Sequence, residues 1–150
     1  MVKWSKWIPI EDATARNGRF AGMFGLYQIR AVSRSAKPIP IARLVGVDKQ
    51  GLLYLGRSGH QKRSSSRTIP NRLKEFVKQH HSGGKTYARA ARIMRRLEKF
   101  SKHHLEVCAL SLRDRAINKA ETTHLRRYFG RFGELPPCNS TLPSIEVIGG

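Results

Sequence analysis

Apolar and polar residues alternate along residues 24–32, with the two-residue period of a half-buried strand. Further apolar runs follow at residues 39–47 and 52–56, and the turn sequence at 48–51 separates them. Short connections between consecutive strands favour antiparallel pairing. These three segments are therefore expected to form a three-stranded antiparallel sheet.

The period becomes helical after Pro70, because Leu73, Phe76, Val77 and His80 recur at i, i+3, i+4 and i+7. Proline is well placed in the first turn of a helix. The Ser-Gly-Gly sequence at 82–84 is expected to end this helix. The later elements are predicted as a helix at 86–100, a strand at 105–112 and a helix at 113–132.

The order of these elements, βββααβα, predicts an α/β domain. It would contain a small three-stranded antiparallel sheet flanked by helices, with residues 105–112 as an extra edge strand. The length of 150 residues predicts a single domain, with a core at about 24–139 and an N-terminal extension at 1–23. Cys108 and Cys138 are isolated in the sequence, which predicts reduced thiols rather than a zinc site.

Charge narrows the choice of partner. The chain has 29 Lys and Arg against 10 Asp and Glu, a net charge of +19, which attracts polyanions. Nucleic acid is the expected partner, with double-stranded DNA preferred, because each phosphate contact releases counterions. An anionic membrane surface is the rival. No run of 18 apolar residues and no signal-peptide pattern is present, so we expect an intracellular, cytoplasmic protein without membrane insertion.

Basic residues concentrate between 57 and 102, where fourteen Lys and Arg face only Glu75 and Glu98. A merely solvated helix face is the alternative, but such faces usually mix charges of both signs. Paired histidines at 80–81 and 103–104 are not spaced as two metal ligands on one helix face. The predicted nucleic-acid contacts are Lys62, Arg63, Arg67 and Lys85, together with a ridge of Arg89, Arg92, Arg96 and Lys99 on the second helix.

An acidic residue interrupts the apolar stripe of the last helix. Glu121 follows Ile117 by four residues and precedes Leu125 by four, so it is predicted to face the sheet. A carboxylate in that place must be paired, hydrogen-bonded or bound to a cation. A salt bridge to one of the many arginines is one interpretation. The other is a ligand to Mg²⁺ or Mn²⁺, since Mg²⁺ sites often use one or two protein carboxylates.

Two short sequences on the predicted strands carry a further signal, Gly25-Leu26-Tyr27 and Tyr54-Leu55-Gly56. With leucine in place of isoleucine, they resemble the two motifs of the GIY-YIG nucleases, and the resemblance covers about residues 24–139. A basic residue follows the second motif, an Arg-Leu-x-x-aromatic pattern opens the first helix, and a glutamate and an asparagine follow in order. The implied catalytic residues are Tyr27, Tyr54, Arg57, Arg72, Glu121 and Asn139.

The resemblance implies a metal-dependent DNA endonuclease, compact and restriction-like or phage-type. In that mechanism Tyr54 would act as general base on the attacking water, and Tyr27 would help to orient that water. Arg57 together with the metal on Glu121 would lower the pKa of Tyr54. Arg72 would stabilise the charge on phosphate. The interval from Tyr54 to Arg72 is longer than usual, which makes Arg67 a competing catalytic arginine. Cutting both strands would require a homodimer on DNA or two successive nicks.

Two other functions compete with this hypothesis. A non-catalytic nucleic-acid binder, such as a ribosome-associated protein, would share the charge but gains nothing from Glu121 beside a phosphate-binding surface. A basic peripheral membrane protein would need exposed Trp or Phe opposite its lysines. The second helix has mainly arginine and only a modest apolar face, so this function ranks last.

Overall fold

The structure, a computed structural model, describes residues 3–59 and 67–140. It is an α/β fold with a four-stranded antiparallel sheet, in the order β1-β6-β2-β5, and a separate two-stranded sheet, β3-β4. The strands are β1 (Ile8–Pro9), β2 (Gly25–Val32), β3 (Ile41–Ala42), β4 (Val47–Asp48), β5 (Leu52–Ser58) and β6 (His104–Ser111). The helices are α1 (Ile10–Thr14), α2 (Ile69–Val77), α3 (Ser82–Met94) and α4 (Asp114–Phe132).

Both faces of the four-stranded sheet are covered by other elements. The side chains of β2 point alternately to opposite sides of the sheet, and each side packs in a different core cluster. Tyr27 and Ile29 belong to the larger core, which includes residues of α1, α2 and the partly buried side of α3. Leu26 points the other way and packs with Ile117 of α4. The predicted α/β class and an antiparallel sheet flanked by helices are therefore confirmed, but the main sheet has four strands rather than the predicted three.

The predicted strand at 39–47 is wrong. The chain reverses between β3 and β4, where Arg43 N–H donates to the Gly46 carbonyl, so this apolar segment is a short hairpin beside the main sheet. Leu44 is 77% exposed and lies near the end of α4, where the Val45 N–H donates to the Phe132 carbonyl. The apolar residues of this segment thus do not mark a core strand.

The strand predicted at 105–112 is confirmed, but its predicted place at the sheet edge is wrong. β6 lies between β1 and β2 and pairs with β2 along its full length, from Gly25 opposite Ser111 to Val32 opposite His104. Its outer side is covered by β1, and the Ser5 N–H donates to the Ala109 carbonyl. The edge strand on the opposite side is β5.

The helices start and end differently from the prediction in one region. α2 ends at Val77, and the Ser-Gly-Gly sequence begins α3 rather than ending α2. His81 caps α3 by accepting the Gly84 N–H at its Nδ1. α3 ends at Met94 instead of extending to Phe100, and Leu97, beyond its end, is 48% exposed. α4, in contrast, closely follows the predicted helix.

Two further features of the described residues bear on the predictions. Cys108 and Cys138 are both free and buried, as expected of reduced thiols, and burial raises the pKa of each to about 12. Within residues 3–59 and 67–140, no helix combines the length and apolar character that a membrane crossing requires.

Candidate active site

A cavity of about 220 Å³ opens at the β5 edge of the sheet. Five of the six residues that the resemblance implied as catalytic lie on its wall, although they come from β5, α2, α4 and the segment after α4. The sixth, Tyr27, does not line it. The residues that line the cavity are Tyr54, Leu55, Arg57, Arg72, Ser82, Glu121, Leu125, Cys138, Asn139 and Ser140.

The pairing of β5 with β2 explains how one strand supplies both sides of this cavity. Tyr54 lies opposite Ile29, whereas Arg57 lies opposite Leu26. Residues paired across antiparallel strands point to the same face, so Tyr54 faces α2 and α3 while Arg57 faces α4. The cavity therefore extends around the edge strand and is open to side chains from both layers of helices.

Glu121 enters the cavity from α4, and its side chain is only 12% exposed. Its Oε1 lies 3.7 Å from Nη1 of Arg57, which also donates a hydrogen bond to Asn118. Glu121 makes no hydrogen bond with another described residue, so its oxygens keep acceptor sites free. Burial raises the pKa of the Glu121 carboxyl, and Arg57 and then Arg72 oppose that rise.

Tyr54 is held on several sides. Its ring stacks on His81, with centroids 5.7 Å apart, and contacts the rings of Phe76 and Tyr27. Burial raises the pKa of the Tyr54 phenol, while Arg72 opposes the rise and Glu121 adds to it. The cation that favours its phenolate is therefore Arg72 rather than Arg57, contrary to our expectation, and it does not outweigh burial.

Tyr27 lies beneath Tyr54 and is fully buried. The two ring centroids are 6.0 Å apart, and burial raises the pKa of the Tyr27 phenol well above its ordinary value. Its hydroxyl makes no hydrogen bond of normal geometry with the described residues. Tyr27 can thus support Tyr54 from the core but does not reach the cavity.

Of the two competing catalytic arginines, Arg72 lines this cavity, whereas Arg67 is exposed and does not line it. The Arg72 guanidinium is ion-paired with Glu75 one turn further along α2. A phosphate entering the cavity would therefore have to compete with Glu75 for this guanidinium.

Asn139 occupies the open edge of β5. Its Oδ1 accepts the Leu55 N–H at 3.0 Å and its Nδ2 donates to the Leu55 carbonyl at 2.9 Å, while the Cys138 N–H donates to the Leu53 carbonyl. These bonds replace the missing neighbouring strand. Asn139 is thus placed to position β5, next to Tyr54, rather than to contact a substrate directly.

Sequence reasoning missed the contribution of the α3 start. Ser82 lines the cavity, His81 stacks on Tyr54, and a Cβ at Gly83 would come within 2.6 Å of the Tyr54 ring. A Cβ at Gly56 would come equally close to the opposite edge of the same ring. The only sequence signal was the Gly-Gly pair, which also fits a helix end.

Replacing Gly83 by Ala is expected to displace the Tyr54 ring and lower any activity of this cavity by about tenfold or more, since a shift of about 1 Å can cost 100-fold. The change in activity should exceed any change in melting temperature. Gly130→Ala is the matched control, because no atom lies within 4 Å of a Cβ there and alanine favours a helix. Equal activity of both variants would show that the ring does not depend on this contact.

The predicted nucleic-acid contacts separate into groups. Lys62 and Arg63 lie outside the described residues. Lys85, Arg89 and Arg92 line a second, larger groove. The predicted ridge is wrong in its second half, because α3 ends before Arg96 and Lys99, and the Lys99 ammonium donates to the Pro40 carbonyl.

Comparison with known proteins identifies no relative of this chain. No protein-family model matches the chain, and no significant match was found among curated proteins or solved structures.

Proposed function

We propose that the protein is a divalent-metal-dependent endonuclease of the GIY-YIG type, which hydrolyses phosphodiester bonds of DNA. One observation carries this proposal. Five of the residues that the resemblance implies as catalytic line a single cavity, namely Tyr54, Arg57, Arg72, Glu121 and Asn139. The net charge of +19 independently favours a polyanionic substrate.

The donor set of the cavity suits Mg²⁺ or Mn²⁺ held with most of its waters. Glu121 is the one carboxylate on the described wall, and no cluster of three or more His, Cys, Asp or Glu exists among the described residues. Mg²⁺ is commonly bound by one or two carboxylates together with substrate phosphates. A bound ion would polarise a phosphate oxygen and stabilise the leaving oxygen.

Hydrolysis assigns a separate role to each side chain. The oxygen of a water molecule attacks phosphorus while its proton passes to the Tyr54 phenolate. The bond from phosphorus to the leaving sugar oxygen breaks, and that oxygen takes a proton from solvent. Arg72, once released from Glu75, stabilises the additional negative charge on the phosphate oxygens. Arg57 stays beside Glu121 and opposes the rise that burial causes in the pKa of that carboxyl.

The test is incubation of supercoiled plasmid with the purified protein, with Mg²⁺ or Mn²⁺ and with EDTA. We expect nicked or linear DNA only in the presence of metal, and discrete fragments if the enzyme is sequence-specific. Tight, salt-sensitive binding without cleavage under any metal would contradict the proposal. Glu121 would then be the salt-bridge partner of Arg57 in a non-catalytic nucleic-acid binder.

A further inference from the structure

A groove of about 770 Å³ lies between α1, the end of α2, α3 and the start of β6. One wall carries Lys85, Arg89 and Arg92 of α3 and Arg95, which caps the C-terminal end of that helix, with spacings of four, three and three residues. Such spacings place side chains on one side of a helix. Glu11 is the single acidic residue on the described lining.

These four cations have no acidic ion-pair partner within the part of the chain that the structure describes. None of their side chains makes an ion pair or hydrogen bond there, and α3 contains no Asp or Glu. Like charges one turn apart on a helix repel one another. An unneutralised row of this kind favours a polyanion over a simple solvated surface, where both signs usually mix.

The groove begins beside the cavity, which favours nucleic acid as the polyanion. Ser82 lines the cavity and Lys85, one turn later in α3, lines the groove. At 1.5 Å per residue, Arg95 lies about 20 Å along the helix axis from Ser82. That distance corresponds to about six base pairs at 3.4 Å each. The groove is also concave, whereas basic helices on membranes lie flat with an apolar side inserted.

We propose that this groove binds the sugar-phosphate backbone of the nucleic acid that flanks the scissile phosphate, through Lys85, Arg89, Arg92 and Arg95. The inference depends on the proposed function for the identity of the partner. It adds a second contact region, separate from the cavity, that fixes the direction in which the substrate leaves the cleavage site.

The experiment measures binding of a fluorescent DNA duplex of about 20 base pairs by anisotropy, in EDTA, between about 50 and 200 mM salt. The parent protein carries Glu121→Gln, so that it cannot cleave. The groove variant adds Arg89→Ala, Arg92→Ala and Arg95→Ala. The control variant adds Arg115→Ala, Lys119→Ala and Arg126→Ala, which remove the same charge from exposed positions of α4.

The groove variant is expected to bind at least about tenfold more weakly and to lose about two to three units of salt slope, one for each phosphate contact. The control should lose less than one unit. Equal losses in both variants, or no loss in the groove variant, would overturn the proposal. So would a groove variant that keeps DNA binding but no longer binds vesicles of anionic lipid.

The two proposals can fail separately. If the protein never cuts plasmid but the groove variant selectively loses DNA binding, the groove proposal is supported and the nuclease proposal is contradicted. If the protein cuts plasmid and the groove variant binds DNA like the α4 control, the nuclease proposal is supported and the groove proposal is contradicted. Alanine is the strongest helix former, so α3 should stay folded in all variants, which circular dichroism checks.

Discussion

Replacing Glu121 by Gln is expected to abolish metal-dependent cleavage of DNA and to leave DNA binding nearly unchanged. The amide keeps the size of the side chain but removes the one carboxylate on the described cavity wall. Loss of metal assistance costs several kcal/mol, and each 1.36 kcal/mol is a factor of ten, so the rate should fall about a thousandfold or more. Glu98→Gln, which removes an equal charge from an exposed position, is the control and should cleave normally.

The stability of the same variant separates a metal ligand from a structural salt bridge. Burial raises the pKa of the Glu121 carboxyl, so the folded protein holds this proton more tightly than the unfolded chain. Its stabilising contribution is then complete below the ordinary pKa and is lost as pH rises through the raised value. At neutral pH the ionised carboxylate therefore lowers stability. Glu121→Gln should melt at the same temperature as the unaltered protein, or higher, in EDTA.

Divalent metal is expected to reverse the order of these two melting temperatures. An ion that binds only the folded protein stabilises it by about 2.7 kcal/mol at a hundred times its Kd, so Mg²⁺ or Mn²⁺ should raise the melting temperature of the unaltered protein but not of Glu121→Gln. A variant that melts well below the unaltered protein in EDTA, combined with no response of either to metal, would identify Glu121 as the counter-ion of Arg57.

The periodic parts of the chain could be predicted from sequence because burial and period agree there. β2 alternates between two covered faces, and α4 carries one apolar stripe with Ile117 and Leu125 buried. The segment at 39–47 could not be placed, because Ile39 is buried in the core whereas Leu44 and Val45 are exposed, so burial does not follow a strand period there. The α3 start was read as a helix end because glycine usually disfavours helices. Here the absence of a side chain lets α3 approach Tyr54 closely.

For the cavity, motif order predicted which residues would lie together, but not the ion pairing or the pKa values of their side chains. Tyr54 and Asn139 are 85 positions apart in sequence, and only a family pattern could connect them. The pairing of Arg72 with Glu75 depends on the direction of side chains on α2. The balance that raises the pKa of Tyr54 depends on how closely α3 covers its ring. Neither can be inferred from residue spacing.

Tyr54→Phe is the second change with a large expected effect. It removes the hydroxyl proposed to accept the proton of water and retains the ring that packs between Phe76 and His81. Removal of a general base costs about 10²- to 10⁴-fold in rate. Tyr128→Phe is the control, since that hydroxyl lies outside the cavity and donates to Asp48. It should lower the melting temperature through the lost hydrogen bond but cleave at the normal rate.

The pH dependence tests the role of Tyr54 as a base. Burial keeps the pKa of its phenol above the ordinary value, so only a small fraction is phenolate at neutral pH, and that fraction grows tenfold per pH unit. The logarithm of kcat/KM should therefore rise with a slope near one from neutral pH upward, and arginine remains charged throughout. The usable range ends near pH 10, because buried tyrosines with raised pKa values lose their stabilising contribution above it. A rate independent of pH, or a Tyr54→Phe variant that keeps the same slope, would assign the proton transfer to another group.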